Sequence, residues 1–101
     1  MTFIRAGKTK EVPPGTICEL EVDGTIVAVA NVEGKLSAFN NVCPHEGGPL
    51  GQGELEGKIV TCPWHGWQFD VCSGALAQSS GTTIETYPVE VRGEDIYIDI
   101  G

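Results

Sequence analysis

Two short stretches limit what this chain can fold into more than any other feature: Cys43-Pro44-His45 and Cys62-Pro63-Trp64-His65. Each sets a thiolate donor beside an imidazole donor, and residues 46–61 separate them. The protein has 2 histidines, and both lie within three residues of a cysteine. Four soft and borderline donors paired in this way predict one metal centre with Cys43, His45, Cys62 and His65 as its ligands. A metal that joins two loops adds its binding energy to folding. That matters in a single small domain of 101 residues whose 14 glycines and 6 prolines imply many turns and a modest core.

Two cysteines and two histidines suit tetrahedral zinc in principle, and a structural zinc module remains one reading of the donors alone. The order of the donors points elsewhere. A zinc finger takes its cysteines from one knuckle and its histidines from one helix, whereas here each loop supplies one of each. That arrangement suits a binuclear centre in which one metal takes both thiolates and the other both imidazoles.

The run Cys43-Pro44-His45-Glu46-Gly47-Gly48-Pro49-Leu50 resembles the first box of the Rieske [2Fe–2S] family, and Cys62-Pro63-Trp64-His65-Gly66-Trp67-Gln68-Phe69-Asp70 resembles its second. The resemblance covers nearly the whole chain. It implies one [2Fe–2S] cluster per chain, held by Cys43, Cys62, His45 and His65, and no catalytic residues. Exchanging two thiolates for neutral imidazoles makes the centre less negative and easier to reduce. Rieske centres as a class lie between about −150 and +300 mV, against about −400 mV for plant-type ferredoxins. The outer ring nitrogen of a ligand histidine can also couple electron and proton uptake. High-potential, quinol-oxidising members carry an extra cysteine in each box, and the two pair across the loops. They also place hydroxyl donors two and four residues past the second histidine. Here Glu46, Gly47 and Gly48 follow the first histidine, Trp64 lies inside the second box, and Trp67 and Phe69 hold the hydroxyl positions. The resemblance therefore implies a low-potential centre.

The net charge of −8, from 6 basic and 14 acidic residues, argues against nucleic acid as a partner; it suits docking on a basic protein surface and equally suits solubility alone. No apolar run approaches the roughly 18 residues of a membrane span, and residues 1–5 lack the basic start and apolar core of a signal peptide. The chain reads as soluble and cytoplasmic, without a membrane partner. Cys18, alternating with Thr16 and Leu20, reads as a small core residue, and Cys72, in a Ser73-Gly74 turn, as a free thiol.

The rest of the chain reads as all-β, without a convincing helix. An edge strand at residues 3–5 and a loop through Pro13-Pro14-Gly15 precede strands at 16–22 and 25–32, joined by the hairpin signal Asp23-Gly24. Ile26, Val27 and Val29 are expected to supply both faces. A turn at Glu33-Gly34 leads into 35–39. Short strands at 58–61 and 67–71 flank the second box, with Glu54 and Glu56 facing solvent. Residues 75–86 form a third loop, which the resemblance implies covers one side of the cluster, here without the prolines that similar proteins often carry. The last hairpin, 87–92 and 95–100, buries Tyr87, Val89 and Val91 with Ile96, Ile98 and Ile100. Trp67 is expected to pack the loops and Trp64 to be exposed. The resemblance implies stacked antiparallel sheets in one domain, 1–101, with residues 41–83 inserted as a cluster-binding subdomain.

In its boxes the chain is most similar to the Rieske-type ferredoxins of bacterial aromatic-ring-hydroxylating dioxygenase systems. That likeness implies a one-electron carrier, with a flavoprotein reductase and a terminal oxygenase as protein partners. The small Rieske-like subunit of an assimilatory nitrite reductase is the alternative, and co-purification with a large sirohaem subunit would mark it. A piece of an oxygenase catalytic subunit is a further reading, but with both histidines committed to the cluster none remains for a mononuclear iron, so this chain cannot oxygenate a substrate alone.

Overall fold

The computed structural model describes residues 2–44, 47–64, 66–77 and 82–101. Strand β1 (Ile4–Lys8) runs into a 3-10 turn at Thr9–Glu11, where the Lys8 N–H donates to the Glu11 carboxylate at 2.7 Å. Strands β2 (Ile17–Val22), β3 (Thr25–Val32) and β4 (Lys35–Asn40) follow as a meander. Their two turns have positive φ throughout: 49° and 84° at Asp23 and Gly24, 54° and 93° at Glu33 and Gly34. This is type I′ geometry, whose twist matches that of the strands it joins. At the second turn the Gly34 N–H donates to Asn31 Oδ1 at 2.7 Å, which supports Glu33 in a conformation that glutamate rarely takes.

A second 3-10 turn, Leu50–Gln52, precedes β5 (Glu54–Glu56), β6 (Ile59–Thr61) and β7 (Gln68–Asp70). Strands β8 (Thr86–Tyr87), β9 (Val89–Arg92) and β10 (Asp95–Ile98) complete the chain. All strand pairs are antiparallel, in three sheets ordered β1-β10-β9, β2-β3-β4-β8 and β5-β6-β7. The all-β expectation is met, and among the described residues no helix is long and apolar enough to cross a membrane.

Strand β3 is buried on both faces, which makes its sheet the middle layer. On one face Val27 and Val29 join Leu20, Val22 and Ala38 against Val12, Ile96 and Ile98. On the other, Ala28 and Ala30 join Phe39 against Cys43, Leu50, Val60, Cys62, Phe69, Val71 and Ile84. The alanines leave the room that lets the second box and its hairpin pack directly on the sheet. Ile26, Val27 and Val29 serve both faces as expected, the two valines on one and Ile26 on the other, but Ile26 is exposed and adds nothing to the core. Val91 is also exposed rather than buried: β9 is an edge strand, and past Val89 its residues are exposed. Strand β5 was not foreseen. Glu54 and Glu56 do face solvent, and only Leu55 turns inward.

Candidate metal centre

The two ligand loops close in the same way. The Cys43 N–H donates to the Gly48 carbonyl at 2.9 Å, and the Gly47 N–H returns to the Cys43 carbonyl at 2.8 Å. In the second loop the Cys62 N–H donates to the Trp67 carbonyl at 2.7 Å, and the Gly66 N–H returns to the Cys62 carbonyl at 3.2 Å. The closing glycines, four residues after each cysteine, have φ of 81° at Gly47 and 75° at Gly66, where a side chain would be strained. Thus Cys-x-His and Cys-x2-His, which differ in spacing, occupy the same six-residue frame. His45 and His65 fall within these frames by sequence and lie outside the described residues.

The first frame sits against the second. A Cβ built on Gly48 would come within 2.8 Å of Cys62 Sγ and 3.0 Å of Trp64 Cγ, so only glycine lets the first loop's backbone lie over the second loop's sulfur. Cys43 and Cys62 are 1% and 3% exposed and share one core cluster, and neither forms a disulfide. Two buried thiols on converging knuckles suit a thiolate-ligated cluster. The structure thus brings together both predicted sulfur ligands.

The second loop is carried by the β6–β7 hairpin, whose inward residues Val60 and Phe69 pair across the strands and are fully buried. Trp67 packs against this core, with its ring centroid 6.4 Å from that of Phe69. Neither ring carries a hydroxyl, so neither of these two positions offers an O–H donor. Trp64 is exposed as expected, and so is Val42, beside the first frame. Pro44, Gly47, Pro63 and Gly66 are exposed between them, and none of these residues carries charge.

Beyond the second box, the backbone N–H groups of Cys72 and Ser73 donate to Asp70 Oδ1 at 2.8 and 3.2 Å, and Lys58 Nζ lies 3.3 Å from Oδ2. Burial works against the Asp70 charge, but these two N–H groups and the Lys58 ammonium outweigh it and hold the carboxyl below its ordinary range. The Asp-Val-Cys-Ser-Gly run carries a turn signal for this role, an Asx turn that the box motif alone obscures. Cys18 is half-buried against the sandwich core, and burial, followed by the charges of Glu11 and Glu19, pushes its thiol above the ordinary value. It is a packing thiol, as expected, and Cys72 is exposed and outside any disulfide. Of the third loop, Gln78, Ser79, Ser80 and Gly81 lie outside the described residues, while Leu76 bridges to Phe69 and packs on the same core.

A family model described as Rieske [2Fe-2S] domain matches residues 2–88. The ferredoxin component of a naphthalene 1,2-dioxygenase system from Pseudomonas aeruginosa is 38% identical over 99 residues, spanning 97% of this chain and 95% of its own length. Among solved structures, a ferredoxin of Sphingomonas yanoikuyae B1 superposes with a TM-score of 0.88 at 30% identity, covering 99% of this chain and 100% of its own. A chain from a complex of reduced oxygenase and oxidised ferredoxin in carbazole 1,9a-dioxygenase matches with a TM-score of 0.86 at 30% identity, covering 95% of this chain and 91% of its own.

Proposed function

The chain belongs to the Rieske [2Fe–2S] domain family, whose cofactor is a [2Fe–2S] cluster, and on that premise we propose that it is a one-electron carrier of an aromatic-ring dioxygenase system. It takes electrons from a flavoprotein reductase and delivers them to a terminal oxygenase, and it performs no substrate chemistry itself. Cys43, Cys62, His45 and His65 hold the cluster, within a subdomain of residues 41–83 in a single domain. The observation that carries this reading is the convergence of two equivalent knuckles, with Gly48 seated on Cys62 Sγ.

When bound, the cluster accepts and releases one electron at a time. The residues around it set how and where. The burial of Cys43 and Cys62 keeps water from the sulfurs, and Trp67 and Phe69 withhold the hydroxyl donors that would favour the reduced state, which supports a low potential. Among the described residues, Val42, Trp64 and the exposed prolines offer uncharged surface on which a partner can approach closely. The acidity of the chain, at net charge −8, suits a partner with a basic border. An exposed Cys72 thiol outside any disulfide suits the reducing cytoplasm.

An EPR-monitored redox titration tests this reading. The expected result is a signal averaging below the free-electron g value, with a midpoint in the lower part of the Rieske range of about −150 to +300 mV. A midpoint well above about +150 mV overturns the low-potential assignment. A colourless protein with about one zinc per chain overturns electron transfer altogether.

A further inference from the structure

We propose that Glu19 is a positioning residue for the metal centre: a carboxylate on the sandwich that latches both ends of the first ligand loop. The proposal rests on the assignment of that loop to the cluster. Glu19 lies on β2, outside both boxes, on the face opposite Cys18 and Leu20, and its partner across the strands is Ala28. Its Oε2 accepts from Asn41 Nδ2 at 2.6 Å, and its Oε1 accepts from Gln52 Nε2 at 3.0 Å. Asn41 precedes Cys43 by two residues, and Gln52 closes the 3-10 turn where the loop ends.

The two arms meet in a closed ring. The Gly51 N–H donates to Asn41 Oδ1 and the Leu50 N–H to the Asn41 carbonyl, both at 2.7 Å. Asn41 is only 7% exposed, and each of its polar side-chain atoms is used in this ring. No side chain fits at Gly51, where a Cβ would collide with Glu19 Cγ and stand 2.8 Å from Asn41 Oδ1. Leu50 beneath it is fully buried in the core that contains Cys43 and Cys62. The strand of chain carrying Cys43 and Gly48 is therefore fixed where it leaves the sheet and where it returns. With those two points held, Gly48 stays against Cys62 Sγ.

The chemistry calls for a carboxylate in particular. Two carboxamide N–H donors face one group, and a carboxylate accepts from each with a separate charged oxygen. Glutamine at this position replaces one of those oxygens by a donor, so the exposed Gln52 carboxamide must turn over or let go, and both arms lose the charge. Charge-assisted bonds of this kind are the stronger class.

Glu19→Gln tests the role, with Ile98→Val as a variant that weakens the sandwich without touching the latch. Three readouts are compared with the unsubstituted protein: EPR g values, the half-life of the visible chromophore under an iron chelator, and thermal stability. Glu19→Gln is expected to shift the g values and to shorten the chromophore half-life about tenfold, the rate equivalent of one charge-assisted hydrogen bond. Ile98→Val should lower thermal stability and leave the g values unchanged, and whatever half-life it loses is the share owed to the platform, which the loss in Glu19→Gln must exceed. Unchanged g values with a half-life within about twofold of the parent overturn the role of Glu19 alone. If the parent protein itself lacks the iron–sulfur spectrum, the cofactor assignment fails and this role fails with it. Should Glu19→Gln fail to fold, Gln52→Ala removes one arm at the exposed end and is read by the same measurements.

Discussion

The two faces of β3 bury similar amounts of chain in different ways. On the sandwich face, branched aliphatic side chains meet one another: Val27 and Val29 against Val22, Ile96 and Ile98, all fully buried. They hang from strands of four to eight residues in regular register. On the loop face, Ala28 and Ala30 meet Phe39, Leu50, Val60 and Phe69 together with two cysteine sulfurs. The strands behind that layer, β5, β6 and β7, have 3 residues each. A sheet of such short strands is marginal without support. The contrast separates a platform that its own apolar packing holds from a loop end in which metal-binding energy serves as folding energy.

Removing the metal should break the comparison most sharply. After iron chelation, or in Cys62→Ser, amide protection is expected to fall by orders of magnitude at Val60, Phe69 and Val71 while it persists at Val27, Val29 and Ile98. Hydrogen exchange read residue by residue checks this, and simultaneous loss on both faces would show that the platform does not stand alone. Ile98→Ala attacks the other side. It should cost about 2–5 kcal/mol in denaturant titration, as large-to-small changes in a close-packed core do, and it should lower both regions together because the loop end depends on the platform. A change at the seam between the two loops sharpens the picture further. Gly48→Ala puts a methyl 2.8 Å from Cys62 Sγ and should cost about 1–3 kcal/mol, with faster chromophore loss and unchanged exchange at Val29.

What the sequence made legible follows the same division. Asp23-Gly24 and Glu33-Gly34 announced their turns because each ends in glycine, which takes positive φ freely, and alternation at Ile96 and Ile98 announced a buried face. That Cys43 and Cys62 would share one buried site was legible because thiolate and imidazole donors stand side by side in the chain. Strand β5 was not, since Glu-Leu-Glu gives one inward residue and no period to read. Val91 misled because alternation tells which way a side chain points, not whether anything covers it on an edge strand. The latch was invisible for another reason: Glu19 meets Asn41 and Gln52 across 22 and 33 residues, and no local pattern encodes such a meeting.

The smallest expected effect compares two carboxylates, one from each region. Arg5 and Asp95 pair at 3.1 Å across the edge of the sandwich, with side chains 49% and 38% exposed. Water and salt screen such a pair, so Asp95→Asn should leave stability almost unchanged. Asp70 is 19% exposed and is held by two backbone N–H groups as well as by Lys58. Its carboxyl titrates below the ordinary value in the folded chain, so its charge contributes in full above the unfolded pKa of about 3.9 and ceases to contribute as pH falls through the lower folded value. Asparagine keeps an oxygen for the N–H groups and loses only the charge. Asp70→Asn should therefore cost no more than about 1 kcal/mol at neutral pH after allowance for screening, and the gap to the parent should narrow between about pH 5 and pH 3. Denaturation of both proteins at matched pH values checks the sign. A gap that persists unchanged to pH 3 would assign the role of Asp70 to the shape of its turn rather than to its charge, and the loop end would then owe its local order to hydrogen bonds and metal alone.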